Sequence, residues 1–141
     1  MLEDVATTER PAGVTAIAIL VLLVAAYLGV IGGLMLTSPG TVSMSTGAPL
    51  LGGLELSGPF MFLLMAAVAV LIGWGLLRMN NWARRIAIAA ALAGCVLLIP
   101  SVSAAAIDLR LPLLWGGLGI MVRVIVVWYL LQAAVVEQFS K

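Results

Sequence analysis

One charged residue of this chain, Arg123, stands deep inside an apolar stretch, where a charge is rare. A guanidinium is always protonated, and its planar fork of donors suits a carboxylate or a phosphate. Placing it at the centre of a membrane helix costs about 2.5 to 3.5 kcal/mol on insertion scales. We therefore expect Arg123 to point into a helix bundle, toward a partner subunit or toward an anionic ligand, rather than into lipid.

Three roles for Arg123 remain open from the sequence. It could snorkel along its own helix toward an interface, contact a partner or an anionic group, or attract an anion in a transport path. On a helix it would share a face with Gly116 and Gly119, which leave room beside it. Because no acidic residue lies inside an apolar stretch, we expect the guanidinium to meet exposed backbone carbonyls or an anion from outside the chain.

The other polar residues do not form a catalytic set. The chain has no His and a single Cys, Cys95, which we interpret as a small apolar filler. Glu55 and Asp108 have no His, Lys or Cys beside them to complete an acid–base pair. We therefore predict no catalytic, metal or cofactor site, and we do not expect an enzyme.

Long apolar runs dominate the composition, since 64% of the 141 residues are hydrophobic and only 9% are charged. Four runs have the length of about 17 to 25 residues that a membrane helix needs. They cover approximately residues 13–36, 60–77, 83–102 and 113–136. The sequence therefore predicts an all-α integral membrane protein, with residues 1–141 forming one domain of four transmembrane helices.

Prolines and polar residues mark the ends of these runs. Pro100, near the far end of the third run, is expected to end or kink that helix. Between the first two runs, Thr41 to Thr46 alternate polar and apolar residues with the period of a strand. A small β-hairpin, completed near Leu50 to Leu56, is one interpretation of this outer loop, and an irregular loop on the membrane surface is the other.

Small residues three or four positions apart predict faces on which helices can approach closely. They are Gly29 and Gly33 in the first run, Ala87 and Ala91 in the third, and Gly116 and Gly119 in the fourth. For the glycines, the alternative is that glycine is simply common in membrane helices.

Basic residues cluster at the turn between the second and third runs. They are Arg78, Arg84 and Arg85. Together with Arg10 and Lys141 they would lie on one side of the membrane, whereas only Arg110 would lie on the other. The positive-inside rule then places the turn and both termini in the cytoplasm. We predict that the three arginines set the topology and contact lipid headgroups, with docking of a soluble partner as the alternative.

Two short motifs carry a resemblance to known sequences. The first is Arg-Pro-x-Gly-Val-Thr at Arg10 to Thr15, and the second is Asn-Trp-Ala-Arg at Asn81 to Arg84. With the four-span layout, they resemble small bacterial integral membrane proteins of unknown function. The resemblance implies the same layout, in a bacterial inner membrane, and supplies no functional residue.

The leading functional hypothesis is a non-catalytic accessory or structural subunit that packs within a larger membrane complex, for which a respiratory or photosynthetic complex is a candidate. Its partners would be membrane lipids and other membrane subunits, or a second copy of the chain, and not nucleic acid. The alternative is a small homo-oligomeric transporter or channel in which Arg123 attracts an anion. The lack of acidic residues inside the spans argues against coupling to cations or protons.

Overall fold

The computed structural model describes residues 11–43, 58–108 and 111–140, and every regular element in these ranges is a helix. The helices are α1 (Ala12–Thr37), α2 (Pro59–Leu77), α3 (Asn81–Asp108), α4 (Leu111–Leu131) and α5 (Ala133–Phe139). The first four are long and apolar enough to cross a membrane, which indicates a multi-pass membrane protein. The predicted all-α class and the four long apolar helices are confirmed.

The predicted β-hairpin is not borne out. Thr41 to Ser43, which were to begin its first strand, form a bend and irregular backbone. The rest of the predicted hairpin lies in residues 44–57, outside the described residues. A hydrogen bond from the Thr41 hydroxyl to the Ser38 carbonyl, 2.8 Å long, instead closes a local turn after α1.

Two helix ends differ from those that the sequence predicted. Helix α3 runs through Pro100 and ends at Asp108, so the proline does not terminate it. Helix α4 ends at Leu131, because Gln132 adopts an extended backbone (φ −59°, ψ 135°) that breaks the helical path before α5. The short helix α5 then brings Val135 and Phe139 back into the protein interior.

The four long helices form two pairs, α1 with α2 and α3 with α4. The two pairs are joined at the end of the bundle that carries Arg78 to Asn80, which we call the turn end. Buried residues from all five helices meet there, and they include Val14, Leu76, Ala83, Leu130 and Phe139. A second cluster lies within the first pair, where Leu28, Ile31 and Met35 pack on Phe62 and Ala66.

Glycines allow close approach between helices at the turn end. A methyl group on Gly75 of α2 would overlap Cβ of Ala83 in α3, and one on Gly13 of α1 would overlap the ring of Tyr129 in α4. The turn itself requires a left-handed residue, and Met79 supplies it with φ 56°. These contacts bring the first turn of α1, the last turns of α2 and α4, and the start of α3 together.

Candidate intramembrane cleft

A cleft of about 640 Å³ separates the two helix pairs. All four long helices contribute to its walls, and nearly all of the side chains in those walls are apolar. Representative wall residues are Val24 and Tyr27 of α1, Met65 and Val68 of α2, Ala90 and Gly94 of α3, and Trp115 and Val122 of α4. Among the residues that line this cleft, Arg123 is the charged one.

Arg123 is half-buried and lies across the surface of α3. Its Nη1 donates a hydrogen bond of 3.2 Å to the carbonyl oxygen of Gly119, one turn earlier in α4. A Cβ on Gly94 would stand 2.6 Å from Nε of Arg123, so the side chain occupies the space that this glycine leaves open. The guanidinium is therefore held against α3 and α4 while it borders the cleft.

The position of Arg123 along α4 places its charge inside the hydrocarbon layer. The residue follows Leu111 by twelve positions and precedes Leu131 by eight, which is about 18 Å and 12 Å along a helix. The side chain reaches back to Gly119, toward the start of α4, as long side chains on helices do. When α4 spans a membrane, the guanidinium therefore falls near the middle of a hydrocarbon layer about 30 Å thick.

The small residues singled out from the sequence fall in different surroundings. Ala87, Ala91 and Gly119 line the cleft, and Ala87 also belongs to the core at the turn end. Gly116 lies half-buried in α4.

In the first pair, Gly29 and Gly33 have different surroundings. A Cβ on Gly29 would make ordinary contact with Ala66 at 3.8 Å, whereas one on Gly33 would meet nothing within 4 Å. The close approach is at Gly32, where Cβ would stand 3.0 Å from Cβ of Phe62. Gly32 stands beside the Gly29 and Gly33 pair in the sequence, but the four-residue spacing alone does not tell which of the three glycines faces α2.

Arg84 has a structural position that differs from the predicted contact with lipid headgroups. Only 9% of its surface is exposed. Nη1 donates to the Leu130 carbonyl at 3.2 Å, while Nε and Nη2 donate to Oδ1 of Asn81 at 3.2 and 3.0 Å. The guanidinium carbon also lies 5.9 Å from the ring centroid of Phe139. Because it falls on the inward face of the first turn of α3, Arg84 joins α3, α4 and α5.

Its two basic neighbours point outward. Arg78 and Arg85 are exposed, and the guanidinium of Arg78 lies 5.1 Å from the ring centroid of the exposed Trp74. A basic group stacked on an aromatic ring suits the border between membrane and water. Contact with lipid headgroups stays a prediction for these two arginines.

The lining of the cleft determines what it could bind. Within the described residues, no three His, Cys, Asp or Glu side chains come together as a possible metal site. Cys95 is a free, half-buried thiol that borders a smaller apolar groove between α3 and α4. Apolar walls with one fixed cation would accommodate an apolar group that carries a negative charge.

Compared with known proteins, the chain matches no protein-family model, no curated protein and no solved structure.

Proposed function

We propose that this protein is a non-catalytic accessory subunit that packs against other membrane protein subunits. One observation carries the proposal: among the four candidate spans in the described part of the chain, the arginine-bearing helix has the smallest share of buried residues. Only 6% of the residues in Leu114–Leu131 are buried within the protein, against 33% of the residues in the most apolar stretch of α2. Lipid solvates the apolar side chains of such a helix, but it is a poor solvent for a guanidinium near its middle. A protein partner on this side would bury that charge.

The proposal includes an orientation in a bacterial inner membrane, with the turn end and both termini in the cytoplasm. The distribution of basic residues supports this orientation, since five of them fall on the turn side and Arg110 alone on the other. The partner would therefore approach α4 from within the bilayer, and no soluble domain is needed for the contact.

Native purification tests the proposal. The full chain, with an affinity tag, is extracted from its own membrane in a mild detergent, and the mass of the complex is measured by light scattering. We expect another membrane subunit in a fixed ratio to this chain. A particle containing one copy of the chain and detergent alone would contradict the proposal.

A matched pair of variants sharpens this experiment. Leu118, which lines the cleft, and Leu64 on α2 have similarly exposed side chains, 52% and 57%. Leu118→Trp should reduce the yield of the partner because it adds bulk on the proposed contact side. Leu64→Trp should leave the yield unchanged, and an equal loss in both variants would mean that α4 is not the contact surface.

A second candidate function, a homo-oligomeric anion transporter, is favoured by the cleft itself, which has walls from all four long helices and a cation beside it. Chloride flux into vesicles containing the purified chain tests this alternative. Flux that falls in Arg123→Gln but not in Arg85→Gln would support transport. Flux no greater than that of empty vesicles would contradict the transport function.

A further inference from the structure

We infer that the short helix α5 is a movable lid that closes the cleft at the turn end, and that its release opens a path for water from that side. This role goes beyond the proposed function, because it concerns access to the cleft and not the partner of α4. The position of α5, the few side chains that anchor it and the break before it all support a lid.

A layer of buried side chains closes the cleft at the turn end. The cleft residues nearest that end are Ile17, Ile72, Ala87 and Val126, one from each long helix. Three or four residues beyond them lie Val14, Leu76, Ala83 and Leu130, which are each at most 1% exposed. Since a helical turn takes 3.6 residues, this layer stands one turn away from the cleft on the same helix faces, and we call it the floor.

Helix α5 covers the floor from the turn end. Val135 and Phe139 belong to the same buried cluster as the floor residues. The ring centroid of Phe139 lies 5.9 Å from the guanidinium carbon of Arg84, in the first turn of α3, whereas the cleft begins one turn further along α3, at Ala87. No residue of α5 lines the cleft. Helix α5 therefore packs on the side of the floor that faces away from the cleft.

Few side chains hold α5 in place. It has seven residues, and isolated helices shorter than about 12 to 15 residues are marginal in water. Its buried side chains are Val135 and Phe139, and its outer face is exposed at Ala133, Ala134, Glu137 and Gln138. Docking of α5 therefore depends on two anchors, and truncating either one should shift α5 toward the released state.

The break before α5 allows it to leave without unwinding α4. Helix α4 ends at Leu131, and Gln132 has an extended backbone. The hydrogen bonds of Arg84 to Asn81 and to the Leu130 carbonyl join α3 to α4 without a contribution from α5. Release of α5 therefore leaves the long helices and their junction at the turn end in place, as in other local openings of a folded protein.

Release would leave a thin barrier between the cleft and water. The floor is one helical turn deep, which is about 5.4 Å. At Ala83, which packs against Gly75, the floor consists of a single methyl group. A small polar solute would then enter the cleft from the turn end, which α5 closes when it is docked.

Cysteine labelling measures this access. The full chain carries Cys95→Ala and a reporter, Ala90→Cys, at an exposed position that lines the cleft, and it is placed in phosphatidylcholine nanodiscs. Sulfonatoethyl methanethiosulfonate, a charged reagent that reacts with thiols in water, is added, and mass spectrometry gives the labelling rate. Phe139→Ala should raise this rate by about tenfold or more, because truncating a buried Phe removes a large part of the packing that holds α5.

Matched variants separate release of α5 from a general loss of packing. Phe139→Leu should raise the rate less than Phe139→Ala, and Gln138→Ala, on the exposed face of α5, should leave it unchanged. A reporter at Leu92→Cys lies on α3 outside the cleft, so its rate should not rise in Phe139→Ala. A reporter at Leu97→Cys lines the cleft about 10 Å further from the turn end than Ala90→Cys, and it should gain less because entry is from the turn end.

Three outcomes would overturn the inference. An unchanged rate at Ala90→Cys in Phe139→Ala would mean that α5 does not close the cleft. An equal rise at Leu92→Cys would mean that α5 holds the whole bundle together. A larger gain at Leu97→Cys than at Ala90→Cys would mean that the path opens at the opposite end. None of these results bears on the partner proposed for α4, so the two proposals fail separately.

Discussion

At the scale of single residues, Arg84 and Arg85 show that neighbouring positions in the sequence can differ completely in burial. Both belong to the basic turn, and composition predicted one role for both. The structure buries the guanidinium of Arg84 against Asn81 and Leu130 and leaves Arg85 exposed. One helical position rotates a side chain by about a hundred degrees, since a turn takes 3.6 residues. The inward face of α3 depends on where α4 packs, which a single sequence does not show.

Replacement of Arg84 should therefore destabilise the protein far more than replacement of its neighbour. Arg84→Ala removes the hydrogen bonds to Asn81 and to the Leu130 carbonyl, and we expect it to lower the free energy of unfolding by about 1 to 3 kcal/mol. Arg85→Ala should change it by less than about 0.5 kcal/mol. Unfolding by sodium dodecyl sulfate in mixed micelles measures both, and equal effects would contradict the structural role assigned to Arg84.

At the scale of helices, hydrophobicity predicted the four long helices but not where each one ends. The fourth apolar run continues through Ala133 to Val136, and a single polar residue, Gln132, does not by itself predict a break. The break follows from packing, because α5 must turn to bury Val135 and Phe139 in the core. Pro100 shows the opposite difference: its lack of an N–H predicted an end or a kink, and α3 does not end there. In lipid, backbone N–H and C=O groups have no water to bond, so a helix that continues past a proline keeps more of its hydrogen bonds than one that ends there.

Close packing between α2 and α3 gives a prediction at this scale. Gly75→Ala places a methyl group against Cβ of Ala83, which cannot move without the backbone of α3. We expect a loss of about 1 to 3 kcal/mol in the free energy of unfolding, the usual cost of overpacking.

Gly33→Ala is the matched control. Nothing lies within 4 Å of the added methyl group, so we expect no loss and a gain of up to about 1 kcal/mol from the better helix propensity of alanine. If both glycine substitutions changed the stability by the same amount, the α2–α3 contact would not be as close as the structure places it.

At the scale of the whole molecule, composition predicted a membrane protein, and the cleft appeared only in three dimensions. Arg123 could be singled out because a charge within an apolar run is visible in one sequence. The sequence also places Gly94 on a face of small residues, but its contact with Arg123 could not be predicted, since it depends on the register of α3 against α4. The cleft likewise depends on how two helix pairs meet at the turn end.

The proposed orientation predicts which loops meet the exterior. In a Cys95→Ala background, Ser38→Cys lies after α1 and Asn80→Cys lies in the turn, and both positions are exposed. A membrane-impermeant maleimide applied to intact cells should label Ser38→Cys, and it should label Asn80→Cys only after permeabilisation. Labelling of Asn80→Cys in intact cells would reverse the orientation.

The contact between Gly13 and the Tyr129 ring also has a consequence for the order of assembly during synthesis. Gly13 belongs to α1 and Tyr129 to α4, so their contact cannot form until the chain has been synthesised through Tyr129. Helices α1 and α2 are neighbours in the chain and can pair while synthesis continues. During synthesis, α1 therefore lies in the bilayer without its contact to α4, and that contact forms when α4 has inserted.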